Sequence, residues 1–249
     1  MTNRIRIILA IVFYLVIWIG VDALFPIPDF IVPPPMSIVR TLVSEAPTIL
    51  RHCVVTLSEA FLGLAIGSGI GMVLSLLFLF WPSTEDLIAP GAIIIRSLPF
   101  VAVAPILILT LGGGMTPKVV VTAIVSFFPV MVNFSRGLCS AERDLVELFC
   151  VMNASKWQTF LKLRLPYSLP FLFKGIEVAA SSAVVVAIVG EVLASDKGLG
   201  FLIVISKYNF QIRMLYAVMF VSSAASLLFV FAARALERIS IPWENKSVE

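Results

Sequence analysis

Apolar residues in this chain come in runs as long as a bilayer is thick, and that single feature rules out most folds. The runs cover roughly 5–24, 54–81, 87–111, 119–138, 169–194 and 215–236. About 20 apolar residues are enough for a helix to cross the ~30 Å hydrocarbon core. In lipid a backbone must pair its own polar groups, and a run of this length does so as a helix. Charged residues make up only 13% of the 249, against about 25% in a soluble domain. The expectation is an all-α, polytopic membrane helical bundle of about six transmembrane helices. It forms one transmembrane domain over 1–249, with no segment outside the membrane long enough for its own core.

Punctuation between the runs sets the topology. Arg4 and Arg6 precede the first run, and no small-x-small cleavage site follows Asp22, so 5–24 reads as a retained helix rather than a signal peptide. Pro26, Pro28 and Pro33-Pro34-Pro35 then stop the helix, and 36–51 reads as an amphipathic segment at the interface. Trp81-Pro82 closes the second run with an interfacial aromatic and a stop. With the N-terminus inside, Arg4, Arg6, Arg136, Arg143, Lys156, Lys162, Arg164, Lys174, Arg234, Arg238 and Lys246 fall on the cytoplasmic side. The opposite side holds only Arg40, Arg51, Lys118, Lys197, Lys207 and Arg213. Excess Lys and Arg marks the inside, so both termini and the 140–166 loop are expected in the cytoplasm.

Several features could carry function. Gly63, Gly67 and Gly71 share one face of the second run, and small residues let backbones approach where lipid supplies no hydrophobic drive. Gly175, Ala179, Ala183 and Ala187 continue that spacing in the fifth run and lead to Glu191, with Glu177 close to the same face. Intramembrane carboxylates face protein or water. Glu177 and Glu191 therefore either border a polar pathway or sit near the interfaces and pair there. The third run contains Arg96, Pro99 and Pro105 and ends at Gly112-Gly113-Gly114. A helix broken by proline beside Arg96 could line a route for an anion, or Arg96 could pair with Glu85 or Asp86. Cys53, Cys139 and Cys150 have neither metal spacing nor even pairing and read as fillers, and His52 beside Cys53 reads as no site.

The 140–166 loop is the most specific clue. Leu145, Val146, Leu148, Phe149 and Met152 alternate with Glu142, Arg143, Asp144 and Glu147 in an amphipathic helix. Asn153 stands where a left-handed cap would end it. Ser155 is placed to cap a second helix over 156–165, stopped by Pro166. A short helix that shows an apolar face on a cytoplasmic loop needs a partner's groove.

Absences narrow the function. There is no phosphate-binding G-x-x-x-x-G-K-[ST] loop and no H-E-x-x-H, and a single histidine excludes a multi-histidine metal site. A net charge of +3 gives no reason to expect nucleic acid.

The loop resembles the signature of permease subunits of bacterial ABC importers: Glu147, then Asn153 at the glycine position, Ala154-Ser155-Lys156-Trp157, and Leu163-Arg164-Leu165-Pro166. Within that superfamily the chain is most similar to the nitrate, sulfonate, taurine and bicarbonate permease family. The likeness runs in order from about 31 to 243. It includes Pro33-Pro34-Pro35, Arg96-x-x-Pro99-x-x-Ala102-x-x-Pro105, Phe127-Phe128-Pro129, and Glu191 followed by Ser195-Asp196-Lys197-Gly198-Leu199-Gly200. Leu148-Phe149 replaces the usual Ala-Ala, and Asn153 replaces glycine.

The resemblance implies a type I ABC importer permease fold in the bacterial inner membrane and a homodimer. It also implies two cytoplasmic ATPase subunits that bind ATP and Mg, and an extracytoplasmic substrate-binding protein. This chain would hold no cofactor and catalyse no bond change. Glu147, Leu148, Phe149, Met152, Asn153, Ala154 and Ser155 would meet the ATPase, and Gly198, Leu199 and Gly200 the binding protein. The cargo would be a small solute: nitrate, bicarbonate, a sulfonate, taurine or a vitamin precursor. An ion-coupled secondary carrier using Glu177 and Glu191 is the alternative.

Overall fold

A computed structural model describes residues 30–241, together with Pro28 and a few positions between 9 and 20. The expected first span, 5–24, otherwise lies outside the described residues. The helices are α1 (Pro35–Ser44), α2 (Ala46–Phe80), α3 (Ser83–Ser97), α4 (Phe100–Leu111), α5 (Thr116–Leu138), α6 (Arg143–Val151), α7 (Lys156–Thr159), α8 (Leu165–Leu193), α9 (Leu199–Tyr208) and α10 (Ile212–Ser240). No strand occurs among the described residues. Four stretches are long and apolar enough to cross a membrane: Ala46–Phe80, Thr116–Leu138, Lys156–Leu193 and Ile212–Ser240.

Three boundaries differ from the sequence reading, each for a local reason. The interfacial segment ends at Ser44, and 46–51 belongs to α2, because the chain turns at Glu45 and Pro47 then tolerates a first-turn position. The third span is two helices bent by 95°. Pro99 bars Leu98 from the helical region, and Leu98 is extended at φ −68°, ψ 132°. Pro166 does not stop its helix. The turn before it, Phe160–Arg164, widens to π geometry, and Leu165 N–H reaches back to Phe160 O. Widening that turn lets the proline ring pass where α-turn geometry would meet a clash.

The small-residue stripes build the centre of the molecule. A Cβ on Gly67 would lie 2.5 Å from Ala123 O, and one on Gly71 2.6 Å from Phe127 O, so α2 and α5 touch backbone to backbone. On the other side of α5, Gly175 of α8 meets Pro129 O and Val130 Cα, both at 3.0 Å from its Cβ position. Ala179, Ala183 and Ala187 are fully buried in the same core with Ala60, Val130 and Phe134. The α8 stripe is thus a contact inside one chain, and no partner copy is needed to cover it.

Contacts at the helix ends order the bundle. Phe80, at the end of α2, packs on Trp157 and Phe160 with ring centroids 5.8 and 5.6 Å away. Gly137, at the end of α5, meets Ser168 and Phe171 near the start of α8. The starts of α2 and α5 and the end of α8 gather instead around α9. One end of the bundle therefore carries α6 and α7, and the other carries α9.

Candidate functional site

At the first end, α6 is terminated from within its own sequence. Asn153 has φ +55°, Ala154 N–H donates to Phe149 O at 3.0 Å and Asn153 N–H to Cys150 O at 3.0 Å. That pair of hydrogen bonds is the Schellman arrangement. Two residues on, Ser155 Oγ accepts from Gln158 N–H at 3.2 Å while Gln158 Oε1 accepts from Ser155 N–H at 2.8 Å, a reciprocal capping box. Arg164 donates to Leu138 O at 2.9 Å and ties this segment to the end of α5. Held so firmly, α6 leaves its apolar side uncovered: Leu148 is 51% exposed, Met152 70% and Val151 85%, with Phe149 half-buried beside them. Glu147 is exposed and Ala154 partly buried. Val151, absent from the sequence-derived set, belongs with these residues because it lies a turn from Leu148.

A cavity of about 980 Å³ opens between α2, α3, α4 and α5, walled by Ile66, Ile70, Ile95, Phe100 and Phe128. Among the described residues its one charged lining residue is Arg96, whose guanidinium lies 5.0 Å from the centre of the Phe128 ring. The expected pairing of Arg96 with Glu85 or Asp86 is not made: they sit in the first turn of α3 and Arg96 in its last. Pro99 and Pro105 are not among the walls, and Pro99 acts through the bend that brings Arg96 and Phe100 to the same space.

The second end holds a buried polar cluster. Glu191 Oε1 accepts from Thr56 Oγ1 at 2.7 Å, and Glu191 Oε2 accepts from Gly200 N–H at 2.7 Å. Leu199 N–H donates to Thr56 Oγ1 at 2.8 Å, and Gly198 N–H to His52 Nδ1 at 2.9 Å. Lys118 Nζ reaches Glu59 Oε1 at 3.2 Å and Ser195 Oγ at 2.7 Å. Thr56, Glu59, Lys118 and Glu191 are all buried. Gly198 has φ +101°, ψ 171°, a region essentially reserved for glycine, and a Cβ there would fall on the Glu191 carboxylate.

This geometry corrects three expectations. Gly198, Leu199 and Gly200 are buried and hold α9 in place, so they present no surface to a partner. Glu191 does not border the cavity, since its oxygens are taken by Thr56 and Gly200. Glu177 does not border it either, because it bridges Lys174 at 2.8 Å and Arg234 Nε at 2.7 Å across α8 and α10. Thr56, Glu59 and Lys118 are absent from the sequence-derived site, and His52, read from the sequence as no site, belongs to the cluster. Glu59 had a signal: it is the one charged residue within 54–81, a turn from Thr56 and from Gly63. His52 and Lys118 had none, because their partners are remote in the chain.

A multi-span helical bundle with a capped, apolar-faced helix at one end and a broken helix beside a cavity has the makings of a transport protein. Residues 63–245 match the family of binding-protein-dependent transport system inner membrane components. The chain is 32% identical to a probable ABC transporter permease protein of Haemophilus influenzae over 88% of this chain and 89% of the other. It is 34% identical to the formylaminopyrimidine transport permease protein ThiX of Halalkalibacterium halodurans, over 87% of each. Among solved structures, the MetNI methionine ABC transporter in an inward-facing conformation superposes with a TM-score of 0.68 at 19% identity. That match covers 79% of this chain and 97% of the other. The chain belongs to the family of binding-protein-dependent inner membrane components, the multi-pass permeases of ABC importers.

Proposed function

We propose that this permease imports a small organic solute across the inner membrane, coupling ATP hydrolysis in separate subunits to alternating access of a central path. Two copies pair with two cytoplasmic ATPase subunits, which hold the ATP and Mg, and an extracytoplasmic binding protein delivers the solute. Both termini and the α6–α7 loop then face the cytoplasm.

The observation that carries this reading is α6: rigidly capped at its end and apolar at Leu148, Val151 and Met152, with nothing among the described residues over that face. Such a helix suits a groove on a soluble partner. The alternative ion-coupled carrier finds no support, because its two candidate carboxylates are committed to Lys174, Arg234, Thr56 and Gly200.

The cavity narrows the cargo. Its volume lies at the upper end of the ~300–1,000 Å³ typical of pockets for drug-sized ligands. Its walls are aliphatic and aromatic around one guanidinium. That chemistry favours a solute with an apolar or aromatic body and one acidic or carbonyl edge over a bare inorganic anion. The 34% identity to a permease named for formylaminopyrimidine transport points the same way.

Phe149→Asp is the test. A charge carried into an apolar groove is strongly unfavourable, so the variant should lose ATPase copurification and transport while the bundle still folds. Retention of the ATPase with full transport would remove the coupling role from this loop.

A further inference from the structure

We infer that His52, Thr56 and Glu191 form a latch that makes α9 move with α2 and α8, carrying the state of the bundle to the membrane face opposite the α6 loop. The inference rests on the importer reading and adds to it the residues that transmit the change.

The first N–H groups of a helix have no partner within it and are usually met by a Ser, Thr, Asp or Asn one position before the helix. In α9 the residue at that position is Gly198, which has no side chain to offer. Three successive donors are met from elsewhere. Gly198 N–H goes to His52 and Leu199 N–H to Thr56, both on α2 and 146 and 143 residues away in sequence. Gly200 N–H goes to Glu191 on α8. The acceptors are themselves joined, since Thr56 Oγ1 donates to Glu191 Oε1 across the α2–α8 contact.

All four bonds, at 2.7–2.9 Å, can exist together only in one relative placement of α2 and α8. Helix shifts of about 1–2 Å are the ordinary currency of switching transitions, and these bonds stay within hydrogen-bonding distance through such a shift only if α9 moves with its acceptors. The other end of the same lever is equally direct. From Lys156 to Leu193 the helix runs on through the wide turn at Phe160–Arg164, and only residues 152–155 separate its start from the end of α6. Displacement of α6 therefore reaches Glu191 along one rigid element, and the latch passes it to α9. Ring stacking of His52 on Phe201, at 5.8 Å between centroids, adds a second grip on α9.

The experiment uses the permease reconstituted with its ATPase subunits in proteoliposomes, with MgATP and vanadate as the probe. Cys139 and Cys150, the exposed cysteines, are replaced by serine, and an environment-sensitive fluorophore is attached through Tyr208→Cys at the exposed end of α9. Trapped nucleotide and fluorescence change are measured on the same sample. The parent should show a spectral shift on trapping. Thr56→Val should trap as much nucleotide and lose more than half of that shift, and Thr56→Ser should restore it. His52→Phe, which keeps a ring against Phe201 but removes the acceptor, should show a partial loss and serves if Thr56→Val does not assemble. A full shift per trapped nucleotide in Thr56→Val or His52→Phe overturns the latch. Failure of the parent to trap nucleotide at all overturns the importer reading, and the latch with it.

Discussion

The two ends of this molecule cap their short helices in opposite ways. At the α6 end the caps come from neighbours: Ser155 and Gln158 are three residues apart, and the Schellman bonds close within six residues. The α9 end draws caps from α2, more than 140 residues away, with Thr56 fully buried and His52 partly so. Local capping yields a helix whose shape does not depend on the rest of the bundle, which suits an element meant to be pushed by a partner. Remote capping yields a helix whose position reports how the spans are arranged. In the proposed function one end receives force and the other responds to it.

The largest expected effect is at the α9 end. Lys118→Met leaves the buried Glu59 without its cation, and breaking a buried ion pair by removing one partner costs about 3–5 kcal/mol. Thermal unfolding of the detergent-solubilised permease should shift down sharply, with little assembled complex recovered. Wild-type stability in that variant would mean the cluster is not held as described. Gly198→Ala comes next. It forces a side chain into a backbone region that costs about 1–3 kcal/mol and pushes on the Glu191 carboxylate. The same melting assay should show a clear loss, whereas a neutral result would detach Glu191 from the α9 turn.

Smaller changes are expected at the α6 end. Ser155→Ala removes a local cap worth about 1 kcal/mol, and because the cap serves only α7, ATPase copurification should suffer more than global stability. A global loss as large as that of Lys118→Met would erase the distinction between the ends. Asn153→Gly should be the mildest, preserving ATPase copurification and melting behaviour, since glycine enters the left-handed cap without steric penalty. A marked loss would show that the Asn153 side chain touches the partner itself.

Glu177 and Glu191 show why part of the site was hidden. Read as one stripe, they looked equivalent, two carboxylates near one face of the same helix. Their roles differ because of what other helices bring to them. Arg234 lies 57 residues from Glu177, and Thr56 lies 135 residues from Glu191. The family resemblance implied that Gly198-Leu199-Gly200 would meet the binding protein. That segment is buried because its N–H groups are the donors that Glu191, Thr56 and His52 require.

Periodicity, composition and cap residues act over a few turns, so they determined the spans from α2 onward, the small-residue stripes, the left-handed Asn153 and the Ser155 cap. Each depends on atoms within about one helical turn of one another, and a linear sequence records such neighbours directly. Tertiary structure alone decided that the α8 stripe packs inside one chain and that the break at Pro99 opens to 95°. It alone brought His52, Thr56, Glu59, Lys118 and Glu191 together. The reason is that a buried polar group in lipid must find a partner wherever the packing supplies one, and packing follows space rather than chain order.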